Sequence, residues 1–389
     1  MKVVSVCHMF PNRIYPNIGI FVKERLKYVA LKTELTMVAP VPSFPCMKYV
    51  PRYAGLKQIG EKESFDGLTV FHPRYFMIPK YFKFLDGRFY GNSLEPFIEN
   101  LFDQIKFDII DFHWVYPDGI GGLQWARKFG KKTVVTVRGN EAIHFFDKTI
   151  IRNMVRKRLS EFDHVIAVSN DLKDKLLRYY GIEQTRVSVI PNGIDKIKFY
   201  RMDKIEALKQ CGLRQDKKYI LSVSRFSKEK GLEHLLLAFK KLKCKETDLI
   251  IIGDGPLKSV LVDMCATLGI EDRIQFPGII GHSDICSWYN AADVFCLPSL
   301  WEGCPNVIIE SLACSVPVVA TNVGGIPDLI PNRDYGILVQ PGDSDELAIA
   351  LRSGLEKCWD KKKIENFGSK YSWEDVADKV INVFKGVLS

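Results

Sequence analysis

The sequence predicts an α/β protein built from two doubly wound parallel-sheet domains, and three observations lead there. Strand-like apolar runs alternate with amphipathic helical stretches along nearly the whole chain, the pattern of parallel sheets covered on both faces. The chain has 389 residues, more than one ordinary core holds, so two such domains are the natural division. Glycines and charged residues gather just after the apolar runs, where ligands collect in an open α/β sheet.

Taken in order, the first half holds about seven strand-like runs. Met1 to Cys7 opens as a buried strand whose apolar run is cut short by Pro11-Asn12, so a signal peptide is not expected. A loop then reaches Asn17-Ile18-Gly19-Ile20-Phe21. Runs at 34–39 and 69–72 precede one at 108–112, which leads into His113-Trp114-Val115-Tyr116-Pro117-Asp118-Gly119 and a helix through Lys128. His113 thus stands at a strand end, and a ring held by local hydrogen bonds is the plain alternative to a functional one. The run 133–137 ends in Arg138-Gly139-Asn140-Glu141, where Arg138 contacts a ligand or pairs with Glu141. Runs at 164–168 and 187–190 complete the half, and Ile190-Pro191-Asn192-Gly193-Ile194-Asp195 reads as a hinge. The first domain therefore spans 1–195 and the second 196–370, with a helix over 371–389.

The second half holds about six runs. Tyr219 to Val223 ends in Ser224-Arg225-Phe226-Ser227-Lys228-Glu229-Lys230-Gly231 before a helical pattern, so Arg225 and Lys230 flank a strand-to-helix turn. Two cations at such a turn suit a diphosphate; solvated surface charge is the alternative. Asp248 to Ile252 ends in Gly253-Asp254-Gly255-Pro256, where small residues let a ligand approach the backbone. Arg273 to Phe276 ends in Pro277-Gly278-Ile279-Ile280, whose peptide groups suit a base edge; either segment equally fits a tight turn.

The most informative stretch is Leu300-Trp301-Glu302-Gly303-Cys304-Pro305-Asn306-Val307-Ile308-Ile309-Glu310. Gly303 and Pro305 forbid an unbroken helix, and Pro305 suits a first helical position, so Glu302 lies in a loop and Glu310 inside a helix that runs to about Cys314. At ~1.5 Å per residue the second acid sits roughly 7–8 Å along the axis from Pro305, far enough to hold another part of an extended ligand. Asp343-Ser344-Asp345 resembles a metal-binding acid pair, but it follows Pro341-Gly342 and opens a helix, which makes capping the better account. The last stretch, Tyr371 to Leu388, begins with a serine cap signal and repeats apolar residues at Val376, Val380, Phe384 and Val387.

The order Arg225-Phe226-x-x-x-Lys230-Gly231, Gly253-Asp254-Gly255-Pro256, Phe276-x-Gly278, Glu302-x7-Glu310 and Gly324-Gly325-Ile326-Pro327-Asp328 resembles the C-terminal half of a family 4 glycosyltransferase. The resemblance implies a retaining enzyme of the GT-B fold: two Rossmann-like domains facing a cleft, with the last helix crossing back to pack on the first. It implies that Arg225 and Lys230 neutralise a donor pyrophosphate and that Glu310 accepts hydrogen bonds from ribose hydroxyls. The backbone around Ile279 would hold the base and that near Gly253 would line the site. Glu302 would sit by the transferred sugar, with Gly303, Cys304, Asn306 and Val307 offering contacts, although Cys304 also reads as a small packing residue. In the first domain the resemblance implies that Gly19 approaches the pyrophosphate, with Ile20 standing where the family has a second glycine. It places His113 beside the donor sugar, with Arg138 and Tyr116 on the acceptor side. The donor is expected to be a UDP-sugar, with a GDP-sugar second, and the acceptor a hydroxyl of a glycan or lipid-linked acceptor in cell-surface polysaccharide synthesis. No metal or other cofactor is expected. A covalent intermediate on Glu302 and front-face attack assisted by the leaving phosphate both remain open. So do two other classes, a nucleotide-sugar 2-epimerase, which would turn over donor without acceptor, and a noncatalytic binding subunit.

The ten cysteines occur without Cys-x-x-Cys spacing or paired metal-ligand clusters, so a reduced, cytoplasmic protein is expected. Residues 1–197 carry 30 Lys plus Arg against 20 Asp plus Glu, and the remainder 25 against 26, so the net +9 is the sum of +10 and −1. A basic first domain attracts anionic membranes or phosphorylated acceptors. Nucleic acid is not expected as a partner, because donor binding already accounts for phosphate chemistry. Tyr75 to Leu85 mixes aromatics with lysines and reads equally as core, acceptor-groove wall or a segment docking on the inner face of a membrane. No run of about 18 apolar residues is present to span one.

Overall fold

The computed structural model describes residues 1–139, 149–281 and 284–389. Asn140 and Glu141, and with them the suggested Arg138–Glu141 pair, lie outside the described residues. The chain forms two compact units: Met1–Asn192 together with Trp373–Ser389, and Gly193–Ser372. The boundary falls inside the 190–195 segment, and the terminal helix belongs to unit 1.

Unit 1 contains β1 (Lys2–Val6), β2 (Glu34–Val38), β3 (Val41–Ser43), β4 (Lys62–Phe65), β5 (Leu68–Phe71), β6 (Arg74–Phe76), β7 (Ile109–Phe112), β8 (Lys132–Val137), β9 (His164–Ala167) and β10 (Val187–Val189). Eight of them form one sheet in the order β10-β9-β8-β7-β1-β2-β5-β4, and β3 pairs with β6 alone. All of these pairs are parallel except β4 with β5. The antiparallel β4, and the short β3 and β6, are strands that the apolar pattern does not announce: β4 reads Lys-Glu-Ser-Phe with no side chain fully buried. The helix Trp373–Leu388 lays Val376, Val380 and Phe384 against Val3, Ile109, Val134 and Ile166. At about 1.5–3 kcal/mol for each fully buried apolar side chain, that stripe anchors the end of the chain in unit 1.

Unit 2 is a six-stranded parallel sheet of β11 (Lys218–Val223), β12 (Thr247–Ile252), β13 (Ile274–Gly278), β14 (Val294–Leu297), β15 (Val318–Thr321) and β16 (Gly336–Val339) in the order β13-β12-β11-β14-β15-β16. Side chains alternate between two cores: Tyr219, Leu221, Ile250 and Ile252 enter one, and Ile220, Leu249 and Ile251 the other. Numbered from the first strand, this is the 3-2-1-4-5-6 order of the doubly wound fold, with its switch point between β11 and β14. The parallel strands of unit 1 reverse in the same way between β1 and β7. The helix after the Glu302 loop is Asn306–Ala313, and Pro305 is its N-cap rather than its first residue. Asp343 is also a cap, its Oδ1 accepting from the backbone N–H groups of Asp345 and Glu346 at 2.9 Å each. No helix among the described residues is long and apolar enough to cross a membrane.

Candidate functional site

At the switch point of unit 2 the loop after β11 carries Arg225 and Lys230, and the loop after the neighbouring β14 carries Glu302. The loops after β12 and β13 are tied to the first: Phe226 N donates to Asp254 O (2.9 Å) and Gly253 N to Gly278 O (2.8 Å). The segments holding Arg225, Lys230, Gly253, Ile279 and Glu302 therefore all lie at one carboxyl edge. Ile279 is exposed and Arg225 is exposed with no ion pair among the described residues.

Glu302 is buried, 7% exposed. Its Oε1 accepts from Lys230 Nζ at 2.6 Å and from Ser299 Oγ at 2.7 Å. This carboxylate thus fixes the lysine from below rather than standing free for a sugar, while Oε2 is uncommitted among the described residues. Gly324, with φ +55°, passes so close that a Cβ there would sit 1.9 Å from Glu302 O, so the Gly324-Gly325 turn clamps the same loop. Gly303, Cys304, Asn306 and Val307 line the approach to the helix Asn306–Ala313, whose start carries no capping side chain. Such an end attracts an anion. Glu310 lies one to two turns further in and accepts from Tyr289 Oη at 2.7 Å. Burial pushes the Glu310 carboxyl up to about 7, with the Tyr289 hydrogen bond acting against it.

Unit 1 presents a second constellation at its own switch point. Gly19 caps the helix Ile20–Ala30 in a left-handed conformation, φ +61°, and a Cβ there would lie 1.9 Å from Met9 O. His113 follows β7 as expected, but its environment differs from an open contact to a sugar. The ring is fully buried: Arg138 Nη2 donates to Nδ1 (3.0 Å), which puts the proton on Nε2, 3.0 Å from Asp111 Oδ2. Burial pushes the imidazole down to about 4, so it is neutral near pH 7. Asp111, two residues earlier on the same face of β7, also accepts from Ser5 Oγ (3.0 Å) and lies 3.8 Å from Arg25 Nη2. Burial alone would raise this carboxyl; the neighbouring His113 and Arg25 hold it below the usual range. Arg138 is buried as well, bonded through Nη1 to Asn192 Oδ1 at 3.1 Å and stacked over Phe21. The hydroxyl of Tyr116 donates to Lys83 O and accepts from Gly87 N at 2.9 Å. His113, Arg138 and Tyr116, expected at donor sugar and acceptor, are therefore committed to protein partners.

Two partners of these sites carried no signal in the sequence, because each is brought in from another element: Tyr289 for Glu310 and Arg25 for Asp111. Ser299, three residues before Glu302 in the same loop, is a local partner. A further pair, His8 and Asp118, joins the two strand-end loops of unit 1 at 2.9 Å. A histidine directly after the first strand was the available clue.

Two doubly wound parallel-sheet units, each with polar groups at its switch point, define the GT-B class of α/β proteins. Residues 203–371 match the family model for glycosyl transferases group 1, and residues 49–197 that for glycosyltransferase family 4. The chain belongs to this glycosyltransferase family. An uncharacterized glycosyltransferase of Methanocaldococcus jannaschii is 31% identical over 61% of this chain and 64% of its own length, so the match spans just under two thirds of that relative. A Bacillus subtilis glycosyltransferase named for teichuronic acid biosynthesis, TuaC, is 26% identical over 92% of this chain and 90% of its own. The alpha-monoglucosyldiacylglycerol synthase of Streptococcus pneumoniae is 32% identical over 71% of this chain and 65% of its own. Among solved structures, sucrose-phosphate synthase of Thermosynechococcus elongatus shares the fold at a TM-score of 0.80 and 20% identity, covering 100% of this chain and 99% of that one. Anabaena HepE, solved in complex with UDP, does so at 0.73 and 19%, covering 99% and 100%.

Proposed function

We propose that this protein is a retaining glycosyltransferase that moves a sugar from a nucleoside diphosphate donor, preferentially a UDP-sugar with a GDP-sugar as second choice, to a hydroxyl of a glycan or lipid-linked acceptor in cell-surface polysaccharide synthesis. The observation that carries the reading is the Lys230–Glu302–Ser299 cluster at the switch point of unit 2, with Glu310 in the helix that follows. Lys230, held at one end by Glu302, and Arg225, in no ion pair among the described residues, meet the charge that grows on the departing diphosphate, so no metal or other cofactor is required. Glu310 accepts the ribose hydroxyls and the exposed segment at Ile279 holds the base, while Gly253, where a Cβ would lie 1.9 Å from Ser224 O, lets the loops after β11 and β12 pack together beside the nucleotide. Because Glu302 Oε1 already serves Lys230 and Ser299, the geometry favours front-face attack assisted by the leaving phosphate over a covalent Glu302 intermediate.

Unit 1 supplies the acceptor side and carries the positive charge. Tyr75 and Met77 are core, whereas Phe76, Tyr81, Phe82 and Phe84 are exposed beside Lys80, which suits a cytoplasmic protein resting on the inner face of an anionic membrane. In this reading His113 acts indirectly, by holding Arg138 and Asp111 in place. The test is nucleotide release from UDP-glucose, UDP-N-acetylglucosamine and GDP-mannose with glycan and glycolipid acceptors. One UDP-sugar consumed only in the presence of acceptor is expected; donor turnover without acceptor, or no donor bound, overturns the proposal.

A further inference from the structure

The sheet of unit 2 has a second polar pocket at its other edge. Ala292 and Asp293 precede β14, and Ser315 and Val316 precede β15, so this pocket of about 500 Å³ opens at the amino ends of the strands. β14 and β15 have four residues each, which puts the two edges roughly 13 Å apart at ~3.3 Å per residue. The remaining walls come from Arg201, Met202, Lys204 and Lys361.

Charges around the pocket do not cancel. Lys204 is paired with Asp293, which also accepts from Tyr219 N at 2.8 Å. Asp203 is committed to the N–H groups of Ile205 and Glu206 as a helix cap. Arg201 and Lys361 are left as cations with no ion pair among the described residues. Lys361 is half-buried, and burial lowers its ammonium to about 8 against the opposing pull of Asp293, a carboxylate already paired with Lys204. Ser315 adds an independent observation. It is 2% exposed, lines the pocket, and its Oγ has no hydrogen-bond partner among the described residues. A buried hydroxyl left unpaired is destabilising, and a bound acceptor atom would relieve that cost.

We propose that this pocket binds a phosphorylated small molecule, its phosphate taken by Lys361, Arg201 and the Ser315 hydroxyl. A phosphate monoester carries close to two negative charges near neutral pH, which complements Arg201 and Lys361, neither of them in an ion pair among the described residues. The volume lies within the ~300–1,000 Å³ typical of small-molecule sites, leaving space for an organic body along Met202 and Val316. The site is separate from the donor site in both residues and sheet edge, so it stands whether or not the transfer reaction proposed above is correct.

Calorimetric titration of glucose 6-phosphate and of inorganic phosphate tests this, using Arg225→Ala/Lys230→Ala protein, which lacks both cations of the other edge. Saturable one-site binding is expected, tighter for the ester than for free phosphate and absent for unphosphorylated glucose. Arg201→Gln and Lys361→Met are each expected to weaken it about tenfold, as for loss of one charge-assisted contact. Arg201 is exposed, so its variant keeps the fold, and thermal unfolding of both verifies this. The proposal is overturned if neither compound binds, or if binding is the same in both folded variants as in their parent.

Discussion

Replacing Lys230 with methionine separates what the lysine does for the fold from what it does for a ligand. The ammonium lies 2.6 Å from Glu302 Oε1, with the lysine side chain 22% and the glutamate side chain 8% exposed. Exposed ion pairs contribute about 0.2–1 kcal/mol, and removing one partner of a fully buried pair costs about 3–5 kcal/mol. An intermediate cost of about 2 kcal/mol is expected for Lys230→Met, because the stranded carboxylate keeps only the Ser299 hydroxyl. For a unit of this size that lowers Tm by about 4–8 °C. Adding Glu302→Gln removes the stranded charge while keeping an oxygen for Ser299, so the double variant recovers most of the loss. UDP affinity, by contrast, stays low in both, since the cation is gone from each. Urea unfolding followed by circular dichroism, beside calorimetric titration with UDP, reads the two effects independently. A double variant no more stable than Lys230→Met, or one that regains UDP binding, refutes the reasoning.

Gly324→Ala places a Cβ 1.9 Å from Glu302 O at a backbone φ of +55°, and a loss of about 3 kcal/mol together with weakened UDP binding is expected from unfolding curves and titration. Glu310, held up to about 7 when folded, keeps its proton where the unfolded chain has released it. Its contribution to stability is therefore fully present below about pH 4.5 and lost as pH rises through 7. Glu310→Gln should flatten that part of a stability-versus-pH curve. UDP-glucose affinity of the wild type should rise from pH 6 to pH 8, as ionisation readies the carboxylate for ribose, and this rise should vanish in the glutamine variant. His113→Ala should cost about 2–4 kcal/mol by leaving Asp111 and Arg138 without their shared partner, and nitrogen NMR of the wild type should show a neutral ring protonated on Nε2 from pH 5 to pH 8.

Much of the architecture was legible because parallel strands buried on both faces leave continuous apolar runs, as Tyr219 to Val223 and Asp248 to Ile252 do. The edge strand Lys62–Phe65 and the short Val41–Ser43 were not, since neither presents two buried faces. Local motifs singled out Arg225, Lys230, Glu302 and Glu310, and the strand order puts the loops carrying the first three at one sheet edge. What each carboxylate touches was not legible. Lys230 and Glu302 are 72 residues apart in sequence, and Tyr289 reaches Glu310 from another helix. The same holds for His113. A histidine at a strand end fits a ring open to a ligand as well as one held by local hydrogen bonds, and it is Asp111, Arg25 and Arg138, converging from three elements, that bury it. The Asp343-Ser344-Asp345 segment went the other way, since Pro341-Gly342 before it already marked a helix start.

The claim on which the account rests is that the carboxyl edge of unit 2 grips a nucleoside diphosphate through Lys230 and Glu310. Titration calorimetry with UDP, on the wild type and on folded Lys230→Ala and Glu310→Ala proteins, addresses it directly. One site per chain in the wild type is predicted, with affinity reduced at least tenfold in each variant; undiminished binding in either one contradicts the claim.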